Sequence, residues 1–259
     1  MSFNGNIILY TGPMFSGKST RLMAEYDRFS RVNKKCLLVR YILDDRYKNS
    51  ITHNNNFGIK EGKEGKELLS GIKYNEIKCK SLYEIDNIIK DYEIIFIDEI
   101  QFFEDCDIYC EKWANEGKLL RLSGLITTSD RKLFTNIENL IPLIERIEYC
   151  SAVCTDNNKE NVYFTDRINN ENNDEIVIGT NDIYKPVDRE IWFKNKNNYL
   201  TMYIRLMKRF NIIYNKHNNT TYTLDEDKLK DYLDENYPRT IIFKDCLILC
   251  SKNLSNLIE

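Results

Sequence analysis

The stretch Gly12-Pro13-Met14-Phe15-Ser16-Gly17-Lys18-Ser19-Thr20 decides the reading of this chain. It matches G-x-x-x-x-G-K-[ST], the phosphate-binding loop, at every specified position. Asn6-Ile7-Ile8-Leu9-Tyr10 precedes it as a short apolar run, as a buried strand would be. Residues 19–30 follow as a helix. A loop in that setting turns its backbone N–H groups toward the phosphates of a nucleotide, and the helix N-terminus adds positive field. Lys18 then reaches the β- and γ-phosphates, and the Ser19 hydroxyl is placed to ligate Mg²⁺.

Outward from the loop, Lys35-Cys36-Leu37-Leu38-Val39-Arg40-Tyr41 predicts a second parallel strand. Asp44-Asp45-Arg46-Tyr47 stands just past its carboxyl end, where ligands bind in open α/β sheets. A solvated turn is the plain alternative there. Residues 49–66 read as a long surface loop, 77–79 as a short strand and 82–90 as a helix. Then comes Glu93-Ile94-Ile95-Phe96-Ile97-Asp98-Glu99, an apolar run ending in acids, which is the Walker B pattern. Asp98 and Glu99 are adjacent, so they point differently and can divide the work. One serves a metal ion and the other a substrate hydroxyl as general base. Residues 104–116 predict a helix, 118–126 a strand and 134–145 a helix. The repeated strand–loop–helix order from residue 6 to about 150 predicts a parallel sheet with helices on both faces.

The bulk properties agree. The chain has 259 residues, 42% hydrophobic and 30% charged, which permits a packed core and excludes global disorder. A net charge of -3 argues against a dedicated duplex DNA binder. No apolar run approaches the roughly 20 residues that span a bilayer. Met1-Ser2-Phe3-Asn4-Gly5 lacks a charged leader and an apolar signal core, so a cytoplasmic location is expected. In that compartment the eight cysteines are thiols or metal ligands, not a disulfide framework. Cys106 and Cys110, one helical turn apart with no second pair near, read as ordinary helix residues.

Several segments together resemble the thymidine kinases of the cytosolic animal, bacterial and poxviral type. Pro13, Met14 and Phe15 are similar to that family's version of the loop. Asp44-Asp45-Arg46-Tyr47 resembles its D-x-R-Y, and Asp98-Glu99-Ile100-Gln101-Phe102-Phe103 its D-E-G/A-Q-F-F. Arg131-Lys132-Leu133-Phe134 is similar to R-K-P-F, and Asn139-Leu140-Ile141-Pro142-Leu143 to the poxviral members. Val177-Ile178-Gly179-Thr180-Asn181-Asp182-Ile183-Tyr184 is similar to V-I-G-G-x-D-x-Y. The resemblance runs in order over residues 5–193.

It implies ATP- and Mg²⁺-dependent phosphorylation of the 5′-hydroxyl of thymidine or a related deoxynucleoside, with Glu99 as general base. It implies an ATP site of Gly12, Pro13, Met14, Phe15, Ser16, Gly17, Lys18, Ser19 and Thr20 with Asp44, Asp45, Arg46, Asp98 and Gln101. Mg²⁺ would be held by Ser19 and Asp98. The nucleoside would meet Met14, Phe102, Leu125 and Phe134, the segment Glu175, Ile176, Val177, Ile178 and Gly179, and Tyr184 over its face. The fold implied is a P-loop NTPase-type α/β kinase domain over 1–149 and a small lasso-type domain over 150–193, followed by a C-terminal α+β extension over 194–259. The partner is a small deoxynucleoside, with no nucleic acid or membrane, in a dimer or tetramer.

The chain departs from the family in places. Two C-x-x-C pairs that bind structural zinc there align with Cys154, Asn157, Asp188 and Ile191, one ligand of four, which argues against zinc. The spacing of Cys150 to Cys154, and of Cys246 to Cys250, leaves a rewired site as the alternative. Ser129 stands where an aromatic would pack on the base, Ile126 replaces an acid, and bulky Ile100 must fit beside Glu99. These changes leave open a weak or inactive homologue that binds nucleotide and acts as an interaction protein. A loop ATPase working on nucleic acid is disfavoured by the near-neutral charge. Beyond the resemblance, 199–214 predicts an amphipathic helix, and Thr223-Leu224-Asp225-Glu226 a capping box opening a second. Residues 240–243 and 246–250 read as strands.

Overall fold

The computed structural model describes residues 5–44, 59–62, 65–68, 75–168, 183–221 and 223–235. The phosphate loop joins strand β1 (Asn6–Thr11) to helix α1 (Lys18–Ser30). Strand β2 (Cys36–Tyr41) follows, then a hairpin of β3 (Ile59–Gly62) and β4 (Gly65–Leu68), then β5 (Glu76–Cys79). Strand β6 (Ile94–Ile97) leads through a 3₁₀ turn to α2 (Cys106–Asn115). Strand β7 (Leu119–Gly124), α3 (Thr135–Leu140) and β8 (Arg146–Tyr149) complete a six-stranded sheet. Its order is β5-β2-β6-β7-β1-β8 and every pairing in it is parallel. The antiparallel pair β9 (Phe164–Arg167) and β10 (Tyr184–Val187) stands apart.

The apolar runs are buried on both faces, as strands of a covered parallel sheet must be. Ile7, Leu9, Val39, Ile95, Ile97 and Leu122 share one core with Trp113 of α2 and Ile137 of α3. Ile8, Tyr10, Leu38 and Phe96 share the other with Leu22, Met23 and Tyr26 of α1. Each such aliphatic side chain contributes about 1.5–3 kcal/mol when fully buried. The parallel register of β1 and β6 with β7 brings the carboxyl ends of all three strands together at one end of the sheet.

Four expectations within residues 1–188 are corrected. Residues 82–90 form two 3₁₀ turns, Leu82–Ile85 and Ile88–Asp91, not one α-helix. The Asp105 carboxylate, distant in sequence, accepts from the Ser81 hydroxyl (2.6 Å) and the N–H groups of Leu82 (3.1 Å) and Tyr83 (2.9 Å), so the first turn is held from outside. The helix expected over 134–145 stops at Leu140, because Pro142 cannot donate and crowds the preceding turn. The chain then forms β8, and Glu145 Oε2 accepts the Ile7 N–H at 2.6 Å. The expected loop at 49–66 gives way at its end to the hairpin with Gly62 opposite Gly65, whose polar strands lack the alternation that reveals a buried one. Finally, Asn161-Val162-Tyr163-Phe164-Thr165 reads in the sequence as one strand, but the strand starts at Phe164.

The chain divides into two compact units, residues 1–188 and 189–259. In the second, α4 (Arg189–Lys194) precedes α5 (Lys196–Asn218) and α6 (Glu226–Glu235). Tyr199, Tyr203 and Met207 of α5 enclose Leu229 of α6. The α6 cap is Asp225 rather than Thr223: its Oδ1 accepts from the N–H groups of Asp227 (3.1 Å) and Lys228 (3.0 Å). Among the described residues no helix is long and apolar enough to cross a membrane. The strands expected at 240–243 and 246–250 lie outside the described residues.

Candidate active site

The phosphate loop is held open by its neighbours. Gly12 has φ +148°, and a Cβ there would stand 2.1 Å from the Cys150 carbonyl oxygen, so no other residue fits. Phe15 takes a left-handed φ of 62°. The Met14 N–H donates to Thr165 Oγ1 of β9 at 2.9 Å. Thr165 carries no signal in the sequence, since only the fold brings it to the loop. Lys18 Nζ donates to the Pro13 carbonyl at 2.7 Å, across the mouth of its own loop. The Ser16 hydroxyl oxygen is buried without a hydrogen-bond partner, a group that an incoming anion's environment would satisfy.

The acidic pair lies at the end of β6. Asp98 Oδ1 accepts from Ser19 Oγ at 2.9 Å, and also from Ser123 Oγ of β7. Ser123 was not legible as a site residue; the register of β6 with β7 brings it there. Burial first, then the neighbouring Glu99 carboxylate, pushes Asp98 up to about 6. Folded Asp98 therefore holds its proton more tightly than the unfolded chain does. Its contribution to stability is full below about pH 4 and is lost as the pH rises through about 6. Asp98→Asn, which stays neutral, is expected to stabilise ligand-free protein at pH 7.5 by on the order of 2–3 kcal/mol. The gain should shrink as the pH approaches 4. Urea denaturation across that range checks this, and destabilisation at pH 7.5 would refute it.

Glu99 is nearly buried and left-handed, with φ 53° and ψ 46°, a conformation that costs a non-glycine residue on the order of 1 kcal/mol or more. The 3₁₀ turn Ile100–Phe102 begins from it. Gln101 Nε2 donates to Glu99 Oε2 at 2.6 Å, while Gln101 Oε1 accepts the Leu125 N–H at 3.0 Å. The bulk of Ile100 is accommodated by Gly124. A Cβ on Gly124 would lie 2.7 Å from Ile100 Cγ2 and 2.4 Å from Gln101 Oε1.

The donor set suits a magnesium nucleotide. Ser19 and Asp98 offer hard oxygens side by side, and a cation there would relieve the cost of ionising buried Asp98.

The thymidine kinase family model matches residues 5–192. The chain is 38% identical over 188 residues to the thymidine kinase of Amsacta moorei entomopoxvirus, covering 71% of this chain and 96% of that one. It is 38% identical to those of Myxoma virus (strain Lausanne), over 74% of this chain and 98% of that one, and Vaccinia virus (strain Western Reserve), over 73% and 97%. The chain belongs to the thymidine kinase family.

As a kinase of that family, it gathers some of the expected site residues and leaves others apart. Lys18, Ser19, Asp98, Glu99 and Gln101 converge at the sheet edge. Asp44 is buried after β2, with its carboxylate 4.0 Å from the guanidinium of Arg40, which also meets Glu76 at 3.3 Å. Phe102 contacts Tyr41 at 5.4 Å between ring centroids. Leu125 and Phe134 pack with the α2/α3 core. Tyr184 instead lines a cleft of about 970 Å³ with Phe15, Gly17, Thr20, Val153 and Ile168. Asp45, Arg46 and residues 175–179 lie outside the described residues.

At the family's zinc positions the chain has a hydrogen-bonded cluster. Asn157 Nδ2 and Lys159 Nζ donate to Asp188 Oδ2 at 3.1 and 3.3 Å, and the Cys154 thiol is buried. Ile191 belongs to α4. Among the described residues no three of His, Cys, Asp and Glu gather as a metal site. Cys106 and Cys110 lie on the buried face of α2, and burial pushes both thiols well up, Cys106 to about 12. Near Ser129, the Arg131 guanidinium lies 3.9 Å from the Phe164 ring centroid.

Proposed function

We propose that this kinase transfers the γ-phosphoryl group of ATP to the 5′-hydroxyl of thymidine or a closely related deoxynucleoside. The observation that carries the reading is the 2.9 Å bond between Ser19 of the phosphate loop and Asp98, with Glu99 next to it in a strained backbone. That arrangement joins a phosphate cradle, a metal-binding pair and a base on one sheet edge, the set that phosphoryl transfer requires. The loop backbone from Gly12 to Thr20 and Lys18 hold the phosphates. Mg²⁺ on Ser19 and Asp98 would neutralise charge on the β- and γ-phosphates. Glu99 accepts the proton of the attacking hydroxyl, and Gln101 holds it in place. The names of the relatives support thymidine as acceptor.

Asp44, Asp45 and Arg46 complete the phosphate side in this reading. Met14, Phe102, Leu125 and Phe134 with residues 175–179 and Tyr184 enclose the nucleoside, and 150–193 act as the closing segment over it. The enzyme works on a small molecule in the cytoplasm, as a dimer or tetramer.

The test is transfer from Mg-ATP to thymidine, deoxyuridine, deoxycytidine and the purine deoxynucleosides. Turnover of thymidine is the expected result. Turnover of another nucleoside alone would move specificity to the 126–130 segment, where Ile126 and Ser129 depart from the family. No turnover with ATP still bound would overturn the enzymatic reading.

A further inference from the structure

We propose that Asn136 is a positioning residue for the transferred proton: through Gln101 it holds the Glu99 carboxylate in its working orientation. The inference rests on the reading of Glu99 as general base.

The 3₁₀ turn after Glu99 closes its own bonds from Phe102 N–H to the Glu99 carbonyl (3.0 Å) and from Phe103 N–H to the Ile100 carbonyl (3.1 Å). Gln101 is only 2% exposed, so its carbonyl needs a donor. Asn136 Nδ2 provides one at 3.1 Å. The Gln101 side chain is fixed as well. A backbone N–H can only donate, so the Leu125 N–H requires the amide oxygen of Gln101 to face it. The amide nitrogen must then face Glu99 Oε2. Gly124 leaves the room this orientation needs. Gln101 is thus held at its carbonyl by α3 and at its side chain by the exit of β7, and its amide nitrogen orients the base.

The anchor is itself rigid. Asn136 lies in the first turn of α3, beside fully buried Ile137 and Leu140. Its own carbonyl accepts the Cys106 thiol of α2 at 3.5 Å. Small losses of alignment matter at such a site, because a misplacement of about 1 Å can cost on the order of a hundredfold in rate.

The experiment is steady-state kinetics of Asn136→Ala in the wild-type and Gln101→Ala backgrounds. Asn136→Asp, the same shape without a donor at pH 8, guards against a folding loss. We expect kcat to fall on the order of tenfold with KM for ATP unchanged. In the Gln101→Ala background Asn136→Ala should add nothing further, as coupled residues do. Gly124→Ala, which pushes Gln101 from the other side, should reproduce the loss. An equal loss in both backgrounds, or an unchanged kcat in wild type, would overturn the proposal. Glu99→Gln separates it from the reading beneath: if that variant loses transfer while Asn136 proves uncoupled, only this inference fails. If Glu99→Gln retains its rate, the base assignment fails and takes this inference with it.

Discussion

Glu99→Gln is expected to cut phosphoryl transfer by about 10²–10⁴-fold, the range for a lost general acid–base group, while ATP binding stays unchanged. The substitution keeps the side chain's size and its bond from Gln101 Nε2 to the remaining oxygen, so the turn at 100–102 need not move. What it removes is the capacity to take a proton. The loss should fall on kcat, because the phosphate loop and the Ser19–Asp98 pair are untouched. Single-turnover transfer with ATP titrated separately checks both halves. A fall of less than about threefold would exclude Glu99 as the base.

Lys18→Ala is expected to reduce kcat/KM for ATP by about 10²–10³-fold or more, comparable to removing a preorganised donor from a developing charge. The ammonium is nearly buried, where electrostatic interactions are stronger than in water. It lies within its own loop at 2.7 Å from the Pro13 carbonyl, so the loop already fixes its position. Truncation removes the charge without altering the left-handed Phe15 or the close contact of Gly12 with Cys150. The effect should therefore appear in nucleotide affinity and turnover and hardly at all in the melting temperature without ligand. Calorimetric titration with a non-hydrolysable ATP analogue, beside the kinetic assay, measures it. Unchanged activity would remove the loop from the mechanism.

The two variants separate the halves of the site. Lys18→Ala tests the proposed donor-phosphate side and Glu99→Gln the proposed acceptor side. A parallel loss in Asp98→Asn, set against its expected gain in ligand-free stability, would mark Asp98 as a group kept for function at a cost to folding.

The strands carrying the site were legible in the sequence because buried parallel strands are continuous apolar runs. The runs at 6–10, 36–41 and 94–97 have no other reading beside a phosphate loop. Lys18, Ser19, Asp98 and Glu99 stood out as candidates because phosphoryl transfer needs those residue types at the ends of such runs, and the structure sets Ser19 on Asp98. The edge strand β8 was not, since its residues are largely exposed and show no apolar pattern. Nor was the turn at 82–85, which Asp105 holds from outside its own stretch.

The sequence alone determined the sheet class, the phosphate loop and the acidic pair, because each is encoded in residues adjacent along the chain. Only the tertiary structure decided what surrounds them. It set Ser123 on Asp98, Thr165 on the loop and Asn136 on Gln101, contacts spanning 25, 151 and 35 residues of sequence. It also answered how Ile100 fits beside the base, by placing Gly124 of a neighbouring strand against it. Such contacts depend on strand order and register, which arise from how the two cores close on the sheet and leave no local pattern to read.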